Sequence, residues 1–273
     1  VELIYLIMSC YQPKTTLIPV PAFSEYERAA RGVHSKIQFL RIKEKEGFKL
    51  NLSGGSKADM LILGSPNNPT GNLLREDCPD VVSLVHKLAV IDEAFMDFVP
   101  QERRLTLIGK AAAGKKIIVL RTFTKFFALA GLRIGYAVAH KEIIRRLRAG
   151  QIPWSVNALA QAAAQAALED KGYIEYSRKF VAEERVFLTE QLSGIRGLRV
   201  YPSAANFLLL KIEQAGVDSA SLTQRMLTRG ILIRDCSNFR NLTAQFVRVA
   251  VRNRTENERL IIAFKEVLPD ARN

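Results

Sequence analysis

The chain has 273 residues, of which 48% are hydrophobic, and it carries a formal net charge of +13. This is enough apolar material for one large domain, or for one large and one smaller domain. There is no run of about 18 apolar residues, so no membrane-spanning helix is predicted. The cysteines and histidines are too scattered to predict a metal site, and this use of cysteine is typical of the cytoplasm. A basic surface attracts anionic substrates, and it attracts nucleic acid only non-specifically when no recognition motif accompanies it.

The first predicted element is a helix, because Val1–Met8 has apolar residues at helical spacing. No residue suited to cap a helix precedes it, and the sequence does not begin with methionine. We therefore expect the chain to begin inside or just before a helix of a longer protein.

Two apolar strands are predicted, and a polar segment follows each of them. The strands are Met60–Ser65 and Leu88–Ile91, followed by Pro66–Gly71 and Asp92–Phe98. In open α/β sheets, ligands bind outside the carboxyl ends of such strands. Asn68 could present its amide to a cofactor oxygen, and Asp92 would be a buried carboxylate that requires a cation such as a pyridinium nitrogen. Taken alone, each segment is more often a simple turn or a helix cap.

A third apolar strand is predicted at Lys116–Leu120, and Lys125 follows it closely. A lysine at the edge of a buried strand can lose its proton and attack an aldehyde, because desolvation disfavours the ammonium. Arg133 stands between Gly131 and Gly135, where a phosphate can approach the guanidinium without obstruction. The pair indicates a lysine that holds an aldehyde cofactor with its phosphate nearby. Either residue alone is more often a solvated surface charge.

The second half of the chain is predicted as long helices followed by a small α/β domain. Helices are predicted at Ser155–Leu168, Tyr173–Leu192 and Thr255–Val267, and strands at Leu198–Tyr201, Asn206–Ile212, Gly230–Arg234 and Phe246–Val251. A further helix is expected to begin after Asp218 and to end near Arg229, where Gly230 can stop it. We predict a large cofactor-binding domain over residues 1–160 and a small domain over 161–273.

The order of Asn68, Asp92, Lys125 and Arg133 resembles that in the fold-type I pyridoxal-phosphate enzymes of the class I/II aminotransferase family. The matching segments are Asn-Pro-Thr-Gly at 68–71, Asp-Glu-Ala-Phe at 92–95, and Thr-x-x-Lys with Gly-x-Arg-x-Gly within 122–135. The resemblance extends over essentially the whole chain. It implies an α/β fold with a mostly parallel central sheet flanked by helices, a small α/β C-terminal domain, and pyridoxal phosphate as cofactor.

The resemblance also implies a role for each cofactor-binding residue. Lys125 would bond covalently to the cofactor aldehyde and act as the catalytic residue, and Asp92 would pair with the pyridinium nitrogen. Asn68 would bond the ring hydroxyl, while Thr122 and Arg133 would hold the phosphate.

An aromatic residue of the segment 21–26 is implied to stack on the cofactor ring. Phe23 is the preferred residue, and Tyr26 is the alternative.

The substrate-binding residues that the resemblance implies come mainly from the second half of the chain. Arg248 matches the arginine that grips the substrate carboxylate through a bidentate pair. Arg252 remains an alternative, because a period of two places both arginines on one face of the predicted strand. Asn206 matches a residue near the carboxylate, and Arg234 resembles an arginine of relatives that handle anionic substrates.

Three segments resemble the threonine-phosphate decarboxylases of this family more than the histidinol-phosphate aminotransferases. They are residues 92–98, 151–160 and 248–253. Within the second segment, Asn157 is expected to reach the substrate. Phe95 stands where the aminotransferases usually carry a tyrosine that bonds the ring oxygen.

The implied reaction is decarboxylation of L-threonine O-3-phosphate to (R)-1-aminopropan-2-yl phosphate, as in cobalamin biosynthesis. A histidinol-phosphate-type aminotransferase and a non-catalytic, cofactor-sensing regulator domain are the alternatives. The expected partner is a small anionic amino-acid phosphate, with no specific nucleic acid and no membrane, and the intact enzyme is expected to be a cytoplasmic homodimer.

In the resembled family, a loop that binds the cofactor phosphate and an N-terminal arm precede the first helix. Neither is present in this sequence. We therefore expect the chain by itself to bind the cofactor weakly and to have little activity.

Overall fold

The computed structural model describes residues 1–51, 56–74 and 81–268. The strands are β1 Thr15–Val20, β2 Lys36–Arg41, β3 Ala58–Gly64, β4 Val85–Asp92, β5 Ile117–Thr122, β6 Gly135–Val138, β7 Leu198–Val200, β8 Phe207–Ile212, β9 Arg234–Asp235 and β10 Phe246–Ala250. The helices are α1 Glu2–Tyr11, α2 Ser24–Gly32, α3 Glu102–Leu105, α4 Ile108–Ala113, α5 Lys141–Gly150, α6 Ala158–Glu169, α7 Lys171–Ser193, α8 Ser219–Leu227 and α9 Arg254–Val267. The predicted α/β class is confirmed.

The larger sheet has six strands in the order β2-β1-β3-β4-β5-β6. All its pairings are parallel except that of β5 with β6. The central strands β3, β4 and β5 are almost continuously apolar and buried, as expected for strands covered by helices on both faces. The predicted mostly parallel sheet is therefore confirmed.

Strands β3, β4 and β5 end at the same edge of this sheet. Gly64 at the end of β3 is in register with Asp92 at the end of β4, and Asp92 is in register with Leu120 of β5. The segments that carry Asn68, Asp92 and Lys125 therefore leave the sheet side by side. This is the edge at which α/β folds bind ligands.

The smaller sheet has four strands in the order β7-β8-β10-β9, and all its pairings are antiparallel. Helices α7, α8 and α9 pack against it around a core of leucine, isoleucine and valine side chains. Arg248 of β10 lies directly opposite Arg234 of β9. Asp218 caps α8 through a reciprocal capping box with Ser221, which confirms the predicted helix start.

The predicted strand Gly230–Arg234 was wrong for most of its length. Only Arg234 and Asp235 pair with β10. Gly230 has a left-handed φ of 70°, and Leu232 is 79% exposed. Ile233 is buried in the core beneath the smaller sheet, but strand β9 begins only at Arg234.

The predicted division at residue 160 falls inside helix α6. This division stays a prediction. Across the parts of the chain that the structure describes, no helix is long and apolar enough to cross a membrane.

Candidate active site

A cavity of about 270 Å³ lies between the carboxyl edge of the larger sheet and the strands β9 and β10. This is close to the lower end of the roughly 300–1,000 Å³ that is usual for small-molecule sites. Its lining consists of Phe23, Ser24, Tyr26, Pro66, Asn68, Asp92, Ala94, Phe95, Lys125, Arg234, Phe239 and Arg248. The fold thus brings together six of the residues that the sequence predicts for the site, namely Phe23, Asn68, Asp92, Lys125, Arg234 and Arg248.

Asp92 ends strand β4 and faces the cavity. Its carboxylate accepts a hydrogen bond from the Tyr26 hydroxyl at 2.8 Å and another from the Ala94 amide at 3.1 Å. Burial raises the pKa of Asp92, and the Tyr26 hydrogen bond opposes this rise. A half-buried carboxylate held by two neutral donors is suited to receive a cationic partner from a ligand.

Helix α2 positions the aromatic residues of the site. Phe23 is its N-cap, and Tyr26 lies one turn further, so both side chains are directed to the same side. Their rings pack edge to face, with centroids 5.7 Å apart. The Tyr26 hydroxyl donates its hydrogen bond to Asp92. Burial of Tyr26 beside that carboxylate raises the pKa of Tyr26 well above its usual value. Phe23 is therefore the better placed of the two to stack on a ring in the cavity.

Lys125 enters the cavity from the segment after β5. Burial of its ammonium lowers the pKa of Lys125, and the positive charges of Arg248 and Arg133 lower it further, while Asp92 acts in the opposite direction. The side chain remains accessible from the open cavity. A larger fraction of its amine is uncharged than in an ordinary lysine, as nucleophilic attack on an aldehyde requires.

A buried ion cluster fixes Lys125 relative to Asp92. Arg121, four residues before Lys125, bonds Glu93 at 2.9 Å and also Asp97 and Glu102, both at 2.8 Å. Side-chain exposure is 2% for Arg121 and 0% for Glu93. The cluster joins the ends of β4 and β5, so the two functional residues depend on one rigid connection. None of the sequence motifs predicted this cluster, although a charge inside a buried strand signals that a partner is required.

Arg248 reaches the cavity from strand β10. Its guanidinium donates to the Asn68 side-chain oxygen and lies over the ring of Phe207, 4.8 Å from the centroid. Burial lowers the pKa of Arg248. Among the ion pairs of the described residues, none involves this guanidinium. A half-buried arginine without a carboxylate is prepared to bind one from a ligand.

The alternative arginine of the sequence analysis, Arg252, does not lie in the cavity. Strand β10 ends at Ala250, so the period of two does not extend to Arg252. Its guanidinium instead pairs with Glu256, one turn along helix α9, at 2.7 Å. The expectation that both arginines share one strand face was therefore wrong.

Arg234 lines the cavity opposite Arg248. Its guanidinium donates to Asn238 at 2.9 Å and lies 5.5 Å from the ring centroid of Phe239. The cavity therefore presents two arginines and Lys125 against the carboxylate of Asp92. This excess of positive charge is suited to an anionic ligand.

Four predicted residues stand outside the cavity lining of the described structure, namely Thr122, Arg133, Asn157 and Asn206. The Thr122 hydroxyl bonds that of Thr124 at 2.9 Å, and Arg133 donates to its own loop, to the Ala130 carbonyl, at 2.8 Å. Arg133 has a left-handed φ of 55°, a conformation uncommon for an arginine. Both belong to the segment that carries Lys125, which is consistent with a phosphate-holding role at the margin of the site.

Asn157 and Asn206 differ in what they bond. Asn157 is exposed and caps helix α6 by accepting from the Ala160 amide at 2.8 Å, which gives it a structural task. The side-chain oxygen of Asn206 is buried and has no hydrogen-bond partner within the described structure. A buried oxygen without a partner is a candidate for a ligand contact, so Asn206 remains a site candidate.

Phe95 and Phe239 line the cavity, whereas Phe207 lies outside its lining and contacts both Phe95 and Arg248. Phe95 packs edge to face against Phe207 with centroids 5.0 Å apart, and Phe239 closes the wall near Arg234. Phe95 was expected near the site from the sequence, whereas Phe207 and Phe239 were not. Phe207 follows Asn206 directly, so the motif that contained Asn206 could have indicated it.

The residues present fit pyridoxal phosphate. Lys125 can bond its aldehyde, Asp92 can pair with its ring nitrogen, Asn68 can reach the ring hydroxyl, and Phe23 can cover the ring. Each of these four side chains faces the same cavity.

The chain belongs to the aminotransferase class I and II family, whose sequence model matches residues 1–264. Members of this family are pyridoxal-phosphate enzymes, so the predicted family and cofactor are confirmed.

Particular relatives include both branches that the sequence suggested. The chain is 37% identical over 276 residues to the threonine-phosphate decarboxylase of Salmonella typhimurium, covering 98% of this chain and 74% of that protein. The structure of L-threonine-O-3-phosphate decarboxylase from Porphyromonas gingivalis superposes with a TM-score of 0.83 at 30% identity, covering 98% and 81% of the two chains. That of histidinol-phosphate aminotransferase from Clostridium acetobutylicum gives a TM-score of 0.88 at 33% identity, covering 97% and 80%.

Proposed function

We propose that this chain is a pyridoxal-phosphate-dependent decarboxylase that converts L-threonine O-3-phosphate to (R)-1-aminopropan-2-yl phosphate and carbon dioxide. The observation that carries the proposal is the wall beside Arg248. Phe95 lines the cavity there and packs on Phe207, over whose ring lies the Arg248 guanidinium, which has no carboxylate partner among the described residues. Sequence similarity to the Salmonella decarboxylase supports the same reaction.

The two arginines match the two anionic groups of this substrate. Arg248 and Arg234 lie opposite each other on neighbouring antiparallel strands, so their Cα atoms are about 4.5–5.5 Å apart. Their side chains are separate, because Arg248 bonds Asn68 and Arg234 bonds Asn238. Arg248 holds the α-carboxylate, and Arg234 is available to the phosphate of the same molecule.

When it is bound, pyridoxal phosphate supplies an electron sink for the α-carbon of the substrate. Asp92, which lines the cavity, would pair with the ring nitrogen and favour its cationic form. Arg248 orients the α-carboxylate, and the apolar wall of Phe95 excludes water from it. The bond from the α-carbon to the carboxylate breaks, the electron pair stays with the α-carbon, and carbon dioxide leaves. Lys125 Nζ then donates the proton that replaces the carboxylate.

A histidinol-phosphate aminotransferase is the second candidate, because the Clostridium acetobutylicum enzyme of that name has nearly the same fold at 33% identity. Such an enzyme would also need an arginine for an anionic substrate and a lysine to move protons. It would differ in taking a proton, rather than a carboxylate, from the α-carbon of its substrate.

The experiment supplies the purified full-length protein, with any segment that precedes Val1, with pyridoxal phosphate and either L-threonine O-3-phosphate or histidinol phosphate plus 2-oxoglutarate. We expect carbon dioxide in a one-to-one ratio to the threonine phosphate consumed, and no glutamate from the second mixture. Lys125→Ala serves as the control, and it measures how much carbon dioxide is released without the Lys125 amine. Glutamate formation without release of carbon dioxide would overturn the proposal in favour of the aminotransferase.

We also infer that the working enzyme is a cytoplasmic homodimer. An apolar surface supports the association of two copies, since Ile152, Trp154 and Leu159 are 76%, 97% and 77% exposed. Light scattering coupled to size-exclusion chromatography measures the mass. A monomer for the wild-type protein at assay concentration would contradict this part of the proposal.

A further inference from the structure

Residues 234–243, here called the rim segment, form the outer wall of the cavity. Arg234 at its start and Phe239 in its middle both line the cavity. Phe239 also lines an open cleft of about 650 Å³ on the other side of the segment. The rim segment therefore separates the ligand cavity from solvent, and its position sets where the Arg234 guanidinium stands.

Two consecutive residues fasten the rim segment, Asn241 to the larger sheet and Arg240 to helix α2. Asn241 donates from its side-chain amide to the main-chain carbonyls of Ile42 at 2.9 Å and Val20 at 3.3 Å. Arg240 pairs with Glu27 of helix α2 through Nε at 3.2 Å and Nη2 at 3.0 Å. These contacts join parts of the chain that are about 200 residues apart.

The geometry of Asn241 supports a specific role in this connection. Its φ of 72° is left-handed, which asparagine tolerates better than most residues. Although Asn241 is an exposed residue, its side-chain amide donates to two carbonyls at the end of β1 and just after β2. Arg240 adds a second contact, because its guanidinium also lies over the ring of Phe39, 4.2 Å from the centroid.

Helix α2 links the far end of this connection to the site. Glu27, which receives Arg240, lies one turn after Phe23, and Phe23 lines the same cavity. The connection therefore holds Arg234 and Phe239 on one side at a fixed distance from Phe23 on the other.

We propose that Asn241 and Arg240 are positioning residues that fix the rim segment, and with it Arg234, for recognition of the phosphate end of an anionic substrate. The inference rests on the proposed function for the identity of that substrate. Neither residue lines the cavity, so each acts through the segment that it fastens.

The test uses two variants and one matched control. Asn241→Gly removes the amide and keeps the left-handed backbone accessible, so that loss of the two hydrogen bonds is isolated from strain. Arg240→Ala removes the ion pair. Arg31→Ala is the control. Arg31 also bonds Glu27, at 2.7 Å, but both residues belong to helix α2, so this pair does not reach the rim segment.

Hydrogen–deuterium exchange of the cofactor-loaded protein measures the fastening without any reaction. We expect amides in residues 234–243 to exchange about tenfold faster in Asn241→Gly and about threefold faster in Arg240→Ala, with no change in Arg31→Ala. Unchanged exchange of the rim segment in both variants would overturn the inference, whatever the enzyme catalyses.

Steady-state kinetics with L-threonine O-3-phosphate measures the consequence. KM should rise about tenfold in Asn241→Gly and about threefold in Arg240→Ala while kcat stays near that of wild type, and Arg240→Lys should recover part of the loss. Faster exchange with an unchanged KM would overturn the positioning role. A wild-type protein that releases no carbon dioxide would instead refute the proposed function. The exchange data would still show whether Asn241 and Arg240 hold the rim segment in place.

Discussion

The two walls of the cavity are built in different ways. The wall that faces the cofactor comes from the ends of parallel strands, and Asp92 and Lys125 on it depend on buried partners, Tyr26 and the Arg121 cluster. The wall that faces the substrate comes from the smaller antiparallel sheet, and Arg234 and Arg248 on it have no carboxylate partner among the described residues. The charged residues that hold the cofactor are therefore fixed in advance by partners within the protein. The arginines that meet the substrate have no such partner, and the anionic groups of the substrate neutralise them.

Among the residues of the cofactor wall, Lys125 should give the largest effect when it is replaced. Lys125→Ala should reduce turnover by more than about a thousandfold, because it removes both the covalent link to the cofactor and the proton donor. The fold should remain, since the Arg121 cluster is untouched. Loss of the visible absorption band that borohydride removes in wild type, with an unchanged far-ultraviolet spectrum, checks this expectation. A band that is still removed by borohydride in the variant would identify a different lysine.

Breaking the buried cluster should destabilise the cofactor wall. Arg121→Met leaves the buried Glu93 carboxylate without its cation and should lower the free energy of unfolding by about 3–5 kcal/mol. The loss should shrink as pH falls, because the stranded carboxylates can then take up protons. Urea unfolding at several pH values measures it. Lys115→Met, which breaks the exposed pair with Glu142, is the control, and an equal loss in both variants would contradict the account.

The substrate wall should respond in KM rather than in stability. Arg248→Ala should raise the KM for threonine phosphate about a hundredfold, because a bidentate contact to the carboxylate is lost. Arg252→Ala, which removes a guanidinium paired with Glu256, should leave KM unchanged. Initial-rate kinetics on both variants distinguishes them. The reverse ranking would restore Arg252 as the carboxylate-binding residue.

A smaller effect is expected at the contact between Tyr26 and Asp92. The hydroxyl of Tyr26 lowers the pKa of Asp92 against the opposing effect of burial, so Tyr26→Phe should raise that pKa further. Asp92 must be ionised to pair with the cofactor nitrogen, and the affinity for pyridoxal phosphate should therefore fall about tenfold. The difference from wild type should widen as pH falls and narrow as pH rises. Cofactor titrations under mildly acidic and mildly alkaline conditions measure it, and a pH-independent difference would contradict the assigned role.

Local patterns were sufficient to predict the cofactor wall. Asn68, Asp92 and Lys125 each follow an apolar strand, and parallel topology alone brings such strand ends together. The structure gives the positions and contacts of these residues but not their roles towards the cofactor, which remain predictions. Their shared location is what the strand pattern predicted.

The substrate wall was harder to predict, because its contacts are long-range. The sequence could not distinguish Arg248 from Arg252, since the choice depends on where β10 ends and on the partner Glu256. The pairs Arg240–Glu27 and Asn241–Val20 connect residues more than 200 positions apart. Hydrophobic periodicity describes only neighbouring residues, so it could not predict these contacts. The strand predicted at 230–234 was wrong before Arg234, because buried Ile233 and exposed Leu232 alternate as in a strand although the backbone after the left-handed Gly230 pairs with β10 only from Arg234 onward.

The measurement that tests the central claim most directly is decarboxylation in deuterium oxide, followed by mass spectrometry and proton magnetic resonance of the product. A decarboxylase that breaks the bond to the carboxylate and then donates a proton from Lys125 keeps the original α-hydrogen and adds a single deuteron at the same carbon. The account predicts this product, (R)-1-aminopropan-2-yl phosphate, with carbon dioxide released in equal amount. Exchange of the α-hydrogen with solvent while the carboxylate is retained would contradict it.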